Sequence, residues 1–104
     1  MARVIWTDPA LEDLDEIADY ISLDDPAAAK RLVRRVFERV DHLEKFPEMG
    51  ACPMELRGTD YRHLVIPPLR LFYRVAGDLV FIVYVMRTER LFRRDDLSGR
   101  DREG

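Results

Sequence analysis

Between residues 8 and 43, hydrophobic side chains recur every three or four positions, which is the spacing of amphipathic helices. Asp8-Pro9 and Asp25-Pro26 each begin one such stretch, and an aspartate cap followed by proline favours the start of a helix. Phe46-Pro47 ends the second stretch. Because only two or three residues connect the helices, the pattern predicts an antiparallel αα-hairpin. Its inner stripes are Leu11, Leu14, Ile17, Ala18 and Ile21, then Ala29, Leu32, Val33, Val36, Phe37, Val40 and Leu43.

Short stretches rich in β-branched and aromatic residues predict strands before and after this hairpin. The first is Val4-Ile5-Trp6. Residues 47–60 contain several prolines and glycines and predict a loop, with a short extended piece at residues 54–56. Ala76-Gly77-Asp78 predicts a tight turn in which Gly77 takes a positive φ. The three later strands are Tyr61–Ile66, Leu69–Val75 and Leu79–Met86.

These elements predict an α+β fold. An N-terminal strand and an antiparallel αα-hairpin are expected to pack on a twisted antiparallel β-sheet of three to four strands. A chain of 104 residues has room for one core, so residues 1–94 are predicted to form a single domain. Residues 95–104 form a polar tail that we expect to be disordered in isolation.

The last predicted strand, Leu79–Met86, is apolar on both faces. A strand in a small antiparallel sheet normally alternates, because one of its faces meets water. The two helices can cover only one face. The other face therefore either holds an apolar patch that meets a partner, or is shielded by curling of the sheet. Exposed apolar patches usually mark interaction sites, so this strand indicates a protein partner.

The composition is that of a globular protein, with 47% hydrophobic residues. The longest apolar run has eight residues, whereas a bilayer needs about 20. No secretory signal is visible at the start of the chain. The single cysteine, Cys52, is interpreted as a small buried or half-buried apolar residue and suits a reducing compartment. We therefore expect a cytoplasmic protein that is not associated with a membrane.

The net charge of −3 conceals an uneven distribution. Residues 1–56 have a net charge of −6, residues 57–94 have +5 with eight arginines, and the last ten residues have −2. A basic segment in an acidic protein can still attract an anionic partner, because charges act over about 8 Å at physiological salt. The alternative is that these arginines only form the solvated faces of strands.

Conventional catalytic chemistry has little support in the sequence. His42 and His63 lie on different predicted elements, and no Cys/His cluster accompanies them, so neither a metal site nor a cofactor is expected. His63 is a possible catalytic base, although a lone histidine in a strand is more often structural. There is no glycine-rich phosphate loop and no motif of a nucleophilic serine.

The arginines of the hairpin from about Leu69 to Arg94 are the remaining candidates. Strand alternation places Arg70, Phe72 and Arg74 on one side, and Val83, Val85 and Arg87 share a side of the next strand. Arginine binds phosphate bidentately and can stabilise its charge. Cross-strand packing with exposed guanidinium heads is the structural alternative. The predicted surface consists of Arg62, Arg70 and Arg87, with Arg90, Arg93 and Arg94 at its rim.

Several segments together resemble a known family. The opening contains Trp6, Ala10-Leu11-Glu12-Asp13-Leu14 with Ile17, Tyr20-Ile21 and Asp25-Pro26. Later segments are Leu43-x-x-Phe-Pro47-x-x-Gly50, Arg70-Leu-Phe-Tyr-Arg-Val and Ile82-Val-Tyr-Val-Met-Arg87-x-x-Arg90. In order and spacing, residues 4–94 resemble the ParE/RelE toxin superfamily and, most closely, ParE-type toxins.

The resemblance implies a toxin of a type II toxin–antitoxin module, with roles in growth inhibition and plasmid stabilisation. It also implies a cognate antitoxin that neutralises the toxin in a hetero-oligomer. RelE-like members cleave mRNA on the ribosome with basic and aromatic residues of the sheet. ParE-like members inhibit DNA gyrase instead.

Departures from the RelE pattern favour gyrase as the target. Arg70 and Arg87 match positions of functional arginines, but no lysine follows Lys45 and no tyrosine follows Arg87. The negative net charge also opposes docking to ribosomal RNA. Ribosome-dependent mRNA cleavage with Arg70 and Arg87 as catalytic residues is the runner-up, and a non-toxic antitoxin-binding protein is the third possibility. The predicted target-binding residues are Arg62, Arg70, Arg87, Arg90 and Arg93.

The antitoxin is expected to cover the apolar last strand and the edge of the first-helix stripe. The basic segment of residues 57–94 favours an acidic peptide that folds on binding. The predicted antitoxin-binding residues are Leu14, Ile21, Phe72, Tyr84 and Met86.

Overall fold

Two helices lie on one face of a four-stranded sheet in the computed structural model, which describes residues 1–100. The predicted α+β fold is thereby confirmed. The order of strands in the sheet is β1-β4-β3-β2. The helices are α1 (Asp8–Ser22) and α2 (Pro26–Asp41), and the strands are β1 (Arg3–Trp6), β2 (Tyr61–Ile66), β3 (Leu69–Ala76) and β4 (Leu79–Arg87).

The N-terminal strand makes the sheet mixed, whereas the sequence predicted an antiparallel one. β2, β3 and β4 pair antiparallel, and β1 pairs parallel to β4 from Arg3 opposite Leu79 to Trp6 opposite Ile82. The parallel pairing is possible because the whole helical hairpin connects β1 to the rest of the sheet. β1 ends at Trp6, so within residues 1–100 the second half of β4 has no strand neighbour on that side.

The helices begin close to the predicted positions. Asp25 caps α2 and accepts a hydrogen bond from the backbone N–H of Ala28 at 3.1 Å, as predicted. The prediction that Asp8 caps α1 is wrong, because Thr7 takes that position. The buried Thr7 hydroxyl donates to the carbonyl of Ile82 at 2.7 Å and accepts from Ala10. Thr7 therefore fixes the start of α1 to β4.

Two further boundaries differ from prediction. α2 ends at Asp41 and tightens into a 3-10 turn at His42–Glu44, several residues before the expected end at Phe46-Pro47. Met54–Leu56 also forms a 3-10 turn, so the extended piece predicted there is wrong. Tightening of the last helical turn satisfies backbone groups that an α-helix end leaves free.

The helix-facing core joins the two helices to the sheet. Its floor is the side of β3 and β4 that contains Leu71, Tyr73, Ile82 and Val85, and most of the predicted helix stripes pack on it. The stripes are narrower than predicted, because Leu11 and Phe37 are exposed. The buried helix residues are Ala10, Leu14, Ala29, Leu32, Val36 and Val40.

The opposite face of the sheet, which we call the rear face, is covered by the chain itself. Phe72, Phe81, Val83, Tyr84 and Met86 form a second buried cluster there. The side chains that close this cluster come from the turn before β2 and from the C-terminal segment (residues 92–100): they are Leu56, Phe92 and Leu97. The sequence predicted either an exposed patch or a curled sheet on this face of the doubly apolar strand. Both predictions are wrong, because other segments of the same chain cover the face.

The C-terminal segment is ordered, which corrects the disorder predicted for residues 95–100. Arg94–Leu97 form a 3-10 helix, and Leu97 is buried. Arg100 donates hydrogen bonds to the carbonyl of Val83 at 3.1 Å and to Asp13. The rest of the predicted tail, residues 101–104, lies outside the described residues. Residue 94 as a domain boundary stays a prediction.

The segment Phe46-Pro47-Glu48-Met49-Gly50 is tied to the sheet by one buried hydroxyl. Tyr73 donates to the carbonyl of Pro47 at 2.8 Å and accepts from the N–H of Gly50 at 2.9 Å. A Cβ atom on Gly50 would lie 2.6 Å from the carbonyl oxygen of His63 and 2.7 Å from the Tyr73 hydroxyl. Only glycine therefore fits here. Burial raises the pKa of Tyr73, which keeps the hydroxyl protonated as a donor.

Tyr73→Phe should destabilise the fold, because it leaves the Gly50 N–H and the Pro47 carbonyl without their partner. We expect a loss of about 1–3 kcal/mol in the free energy of unfolding, measured by urea denaturation. Tyr20→Phe is the matched control, because Tyr20 is exposed, and it should change that free energy by less than about 0.5 kcal/mol. Equal effects of the two substitutions would contradict the role given to Tyr73.

Candidate functional site

An irregularity in the pairing of β3 and β4 decides which way the arginines point. Phe72 pairs with Tyr84, but the next residue, Tyr73, pairs with Ile82, so Val83 is an extra residue in β4. Such a bulge interrupts the alternation of side chains. Val83 and Tyr84 both face the rear cluster, and Val85 belongs to the helix-facing core. The prediction that Val83 and Val85 share one side is therefore wrong.

Arg70 lies on the rear face, where its guanidinium group is fully engaged. It pairs with Glu55 through two bonds of 3.2 and 3.4 Å and donates to Nδ1 of His63 at 3.3 Å. It also lies 4.9 Å from the ring centre of Phe72 and 5.7 Å from that of Phe92. Its side chain is 14% exposed. Arg70 is thus a half-buried bridge between the 3-10 turn, β2 and the C-terminal segment.

Arg87 lies on the helix side of the sheet. Its guanidinium group stacks over the ring of Tyr20 in α1 at 4.6 Å and pairs with Glu89 at 2.6 Å. Arg62 is also turned away from Arg70, and it donates to the carbonyls of Glu48 and Gly50. The predicted convergence of Arg62, Arg70 and Arg87 on one surface is therefore wrong.

The rim arginines are distributed around the C-terminal end of β4. Arg90 lines a cleft of about 220 Å³ together with Arg87, Arg100, Asp13 and other residues of α1 and β4. Arg93 is exposed, and its backbone N–H donates to the carboxylate of Asp96. Arg94 instead donates to the carbonyls of Glu55 and Arg57 on the rear side. The predicted surface is thus divided between the two sides of the sheet.

His63 is suited to accept a hydrogen bond from Arg70. Burial and the nearby Arg70 charge lower the pKa of His63 below its ordinary value of 6.5, and Glu55 opposes them. The ring is neutral at pH 7, and the Arg70 guanidinium occupies its Nδ1 atom. This arrangement makes His63 a positioning partner of Arg70 and leaves Nδ1 unavailable to a substrate.

Asp13 and Arg100 close the edge of β4 beyond the end of β1. The backbone N–H of Val85 donates to the Asp13 carboxylate at 3.1 Å, and Arg100 donates to the carbonyls of Val83 and Pro9. Arg100 also lies 4.4 Å from the ring centre of Tyr84. Burial raises the pKa of Asp13, against the opposing effects of Val85 and Arg100. Two side chains therefore replace a neighbouring strand.

The predicted antitoxin-binding residues lie mainly in the core of the described chain. Leu14, Phe72 and Met86 are buried, Tyr84 is 9% exposed, and Ile21 is half-buried at the edge of the helix-facing core. Their assignment to an antitoxin stays a prediction. A charged substitution at Phe72 would disturb the core before it could report on a partner.

Other residues were placed differently from expectation or were missed. Cys52 is exposed, so its interpretation as a buried or half-buried residue is wrong. Glu55 and Arg100 were missed, because a loop carboxylate and a tail arginine have no sequence signal for such distant contacts.

Among residues 1–100, no group of histidine, cysteine and carboxylate residues is arranged to hold a metal ion. None of the described helices is long and apolar enough to span a membrane.

The pKa of the His63 ring reports whether Arg70 and Glu55 lie beside it. Arg70→Gln should raise this pKa, because it removes a nearby positive charge, and Glu55→Gln should lower it, because it removes the opposing negative charge. Arg87→Gln is the control and should leave it unchanged, since Arg87 lies on the other face. NMR titration of the His63 ring protons measures all three. A response to Arg87→Gln as large as that to Arg70→Gln would contradict the separation of the two arginines.

The pH dependence of stability follows from the same shift. At pH values below 6.5 the unfolded chain binds a proton at His63 that the folded chain binds only at lower pH. Protonation of His63 therefore lowers the free energy of unfolding as the pH drops from about 6.5 through the lower pKa of the folded chain, and His63 makes no such contribution at higher pH.

Comparison with known proteins agrees with the fold and with the resemblance. The family model described as ParE toxin of type II toxin–antitoxin system, parDE, matches residues 4–92. Toxin RelE2 of Caulobacter vibrioides is 41% identical over 92 residues, which cover 88% of this chain and 100% of that protein. Putative toxin Y4kP of Sinorhizobium fredii is 40% identical over 77 residues, which cover 74% of this chain and 79% of that protein.

A solved structure gives the same result. In the structure described as chromosomal ParDE TA system from P. aeruginosa, one chain is 30% identical with a TM-score of 0.71. The match covers 86% of this chain and 98% of that chain. The family match ends at Phe92, where the C-terminal segment begins. The chain belongs to the ParE toxin family of type II toxin–antitoxin systems, within the wider ParE/RelE group.

Proposed function

We propose that this protein inhibits DNA gyrase in the cytoplasm and that a cognate antitoxin neutralises it in a hetero-oligomer. The observation that supports gyrase over RNA is the position of Arg70 and Arg87 on opposite sides of the sheet. Cleavage of a phosphodiester needs its cationic and proton-transferring groups within about 3 Å of the same reacting atoms. Arg70 and Arg87 do not meet that requirement.

The state of Arg70 adds to this argument. A phosphate would have to displace Glu55, whose pKa is lowered by its bond to Arg70, and would reach a guanidinium that is 14% exposed. His63 offers no free Nδ1 to act as a base. The net charge of −3 also gives little counterion release on ribosomal RNA. These features favour binding to a protein over catalysis.

The exposed turn after β4 is the best candidate for contact with gyrase. Arg90 and Arg93 lie on either side of Leu91 in the sequence, and Leu91 is 76% exposed although it is apolar. Arginine next to an exposed apolar anchor is typical of protein interfaces. Arg62 and Arg70 are held by the chain itself, so we propose Arg90 and Arg93 as the main target-binding residues, with Arg87 beside them.

The name of the relative from C. vibrioides, Toxin RelE2, is the observation that favours ribosome-dependent mRNA cleavage as the second candidate. In that case Arg70 would be the catalytic arginine, and binding to the ribosome would have to release it from Glu55.

Two assays with the purified toxin distinguish these functions. We expect the toxin to abolish DNA supercoiling by gyrase and to leave mRNA intact in a ribosome-programmed cleavage assay. Addition of the antitoxin encoded by a neighbouring gene should restore supercoiling. Cleaved mRNA with normal supercoiling would contradict the gyrase proposal, and inactivity in both assays together with no effect on growth would identify a non-toxic antitoxin-binding protein.

Substitutions locate the gyrase contact. The double variant Arg90→Glu with Arg93→Glu should need at least about tenfold more protein for half-inhibition, because charge reversal at an interface costs more than a kilocalorie per mole. Arg3→Glu is the control, since Arg3 is an exposed arginine in β1, far along the chain from this turn. An unchanged inhibition curve for the double variant would contradict the proposed contact.

A further inference from the structure

The side of α2 that faces away from α1 carries a row of three arginines, which we call the basic flank. Its members are Arg31, Arg35 and Arg39. Residues four apart in a helix lie one above the other on nearly the same side. Ala29 and Val33 lie on the opposite side of α2 and line the cleft between the two helices. Arg35 agrees with this placement, because it donates to the carbonyl of Pro67 in the turn between β2 and β3, whereas α1 packs on β4.

The guanidinium groups of the basic flank are largely unused by the fold. Arg31 and Arg35 are exposed, and Arg39 is half-buried. Within residues 1–100, Arg31 and Arg39 have no hydrogen-bond or ion-pair partner, and Arg35 uses one nitrogen for its bond to Pro67. Glu38 is the acid of α2 nearest to the row along the helix, and no ion pair joins it to the arginines. The flank therefore has donors available for an anionic partner.

The local charge at the basic flank is positive although the chain as a whole is negative. The net charge of the chain is −3, and α1 contributes −6 with six acids and no base, so the rest of the chain has a net charge of +3. Packed helices lie about 8–10 Å apart, and the flank is on the far side of α2 from α1. The acids of α1 are therefore separated from it by more than the screening length of about 8 Å at physiological salt.

We propose that the basic flank binds the phosphate backbone of duplex DNA without sequence preference. Successive arginines of the row are about 6 Å apart along the helix axis, which is close to twice the 3.4 Å spacing of phosphates along one strand of B-DNA. A helix lying along a strand can thus place each arginine near a phosphate. The planar guanidinium fork binds phosphate oxygens bidentately. The proposal is independent of the action on gyrase, because it concerns the free toxin.

The side chains around the row favour duplex DNA over other anionic partners. Protein interfaces usually contain apolar or aromatic anchors. Between Arg31 and Arg39, α2 exposes no apolar side chain on this flank, since the ring of Phe37 packs on Trp6 of β1. Single-stranded nucleic acid would need aromatic side chains for base stacking, which the flank also lacks. The apolar side of α2 is buried in the helix-facing core and is not available to enter a lipid surface.

Fluorescence anisotropy with a labelled duplex of 20 base pairs tests the proposal on the full chain. Three phosphate contacts predict that the logarithm of the binding constant falls with the logarithm of the salt concentration with a slope of about −2.7. The affinity should therefore fall about 40-fold between 50 and 200 mM salt. A second duplex of unrelated sequence should bind equally well.

Two double variants that remove the same charge from the same helix locate the contact. Arg31→Gln with Arg35→Gln should weaken binding at 50 mM salt at least about tenfold and reduce the slope to about −0.9. Lys30→Gln with Arg34→Gln is the matched control, because these two residues line the cleft with α1, and it should keep a slope of about −2.7. Circular dichroism checks that both variants keep their helices.

Glu38→Gln should bind the duplex at least about twofold more tightly, because it removes the acid beside the row, and a gain of affinity cannot come from loss of folding. No binding by the wild-type toxin at 50 mM salt, equal losses in the two double variants, or no gain with Glu38→Gln would overturn the proposal. Binding of a polyglutamate peptide by the wild-type toxin, with none of DNA, would assign the flank to an acidic protein and would equally overturn it.

Discussion

Burial of β4 on both faces is the constraint on which the rest of this structure depends. From Val80 to Met86 every side chain of the strand is buried. A single layer of helices covers only one face of the sheet and therefore cannot bury all of these side chains. The α1–α2 hairpin covers one face, and residues 92–100 with the turn at Met54–Leu56 cover the other. Full burial of one large apolar side chain contributes about 1.5–3 kcal/mol, so loss of either cover would cost several times that amount.

The edge of β4 beyond β1 also needs partners, in this case for its backbone N–H and carbonyl groups. β1 pairs with the first half only, and an unpaired edge offers free backbone groups to other chains. Thr7 takes the carbonyl of Ile82, Asp13 takes the N–H of Val85, and Arg100 takes the carbonyl of Val83. Side chains from the start of α1 and from the C-terminal segment therefore finish the sheet, and they fix both of these elements to it.

The positions of the arginines that were predicted to be functional follow from this packing. The extra residue at Val83 turns Val85 toward the helices, and Arg87 follows to the same side and stacks on Tyr20. Arg70 stays on the rear face beneath the C-terminal segment, against Phe92. A gyrase-directed role needs no shared active centre between them, which is why the geometry fits protein binding better than phosphate chemistry.

The sequence predicts the elements well because each is specified locally. Periodicity places both helices, Asp25-Pro26 begins α2, and the turn at Gly77, with φ of +61°, joins β3 to β4 as expected. Long-range features have no such local signal. The bulge at Val83 depends on cross-strand register, the parallel pairing of β1 depends on topology, and the bond of Arg100 to Asp13 joins residues at opposite ends of the chain.

Only the β3 part of the candidate site was predictable from the sequence. Alternation correctly placed Arg70, Phe72 and Arg74 on one side of β3. It holds there because the extra residue of the bulge lies in β4 and not in β3. Arg87 lies four residues after Val83, and the extra residue there reverses the side on which every later residue of β4 lies relative to simple alternation from the start of the strand. Glu55, which occupies the Arg70 guanidinium, comes from a loop whose path no periodic pattern specifies.

NMR distance restraints in the free protein test most directly whether Arg70 and Arg87 lie on opposite sides of the sheet. Nuclear Overhauser effects should connect the Arg87 side chain to the ring of Tyr20, and the Arg70 side chain to the rings of Phe72 and Phe92. Contacts from Arg87 to Phe92 or to Arg70, with none to Tyr20, would place both arginines on one face and contradict their separation.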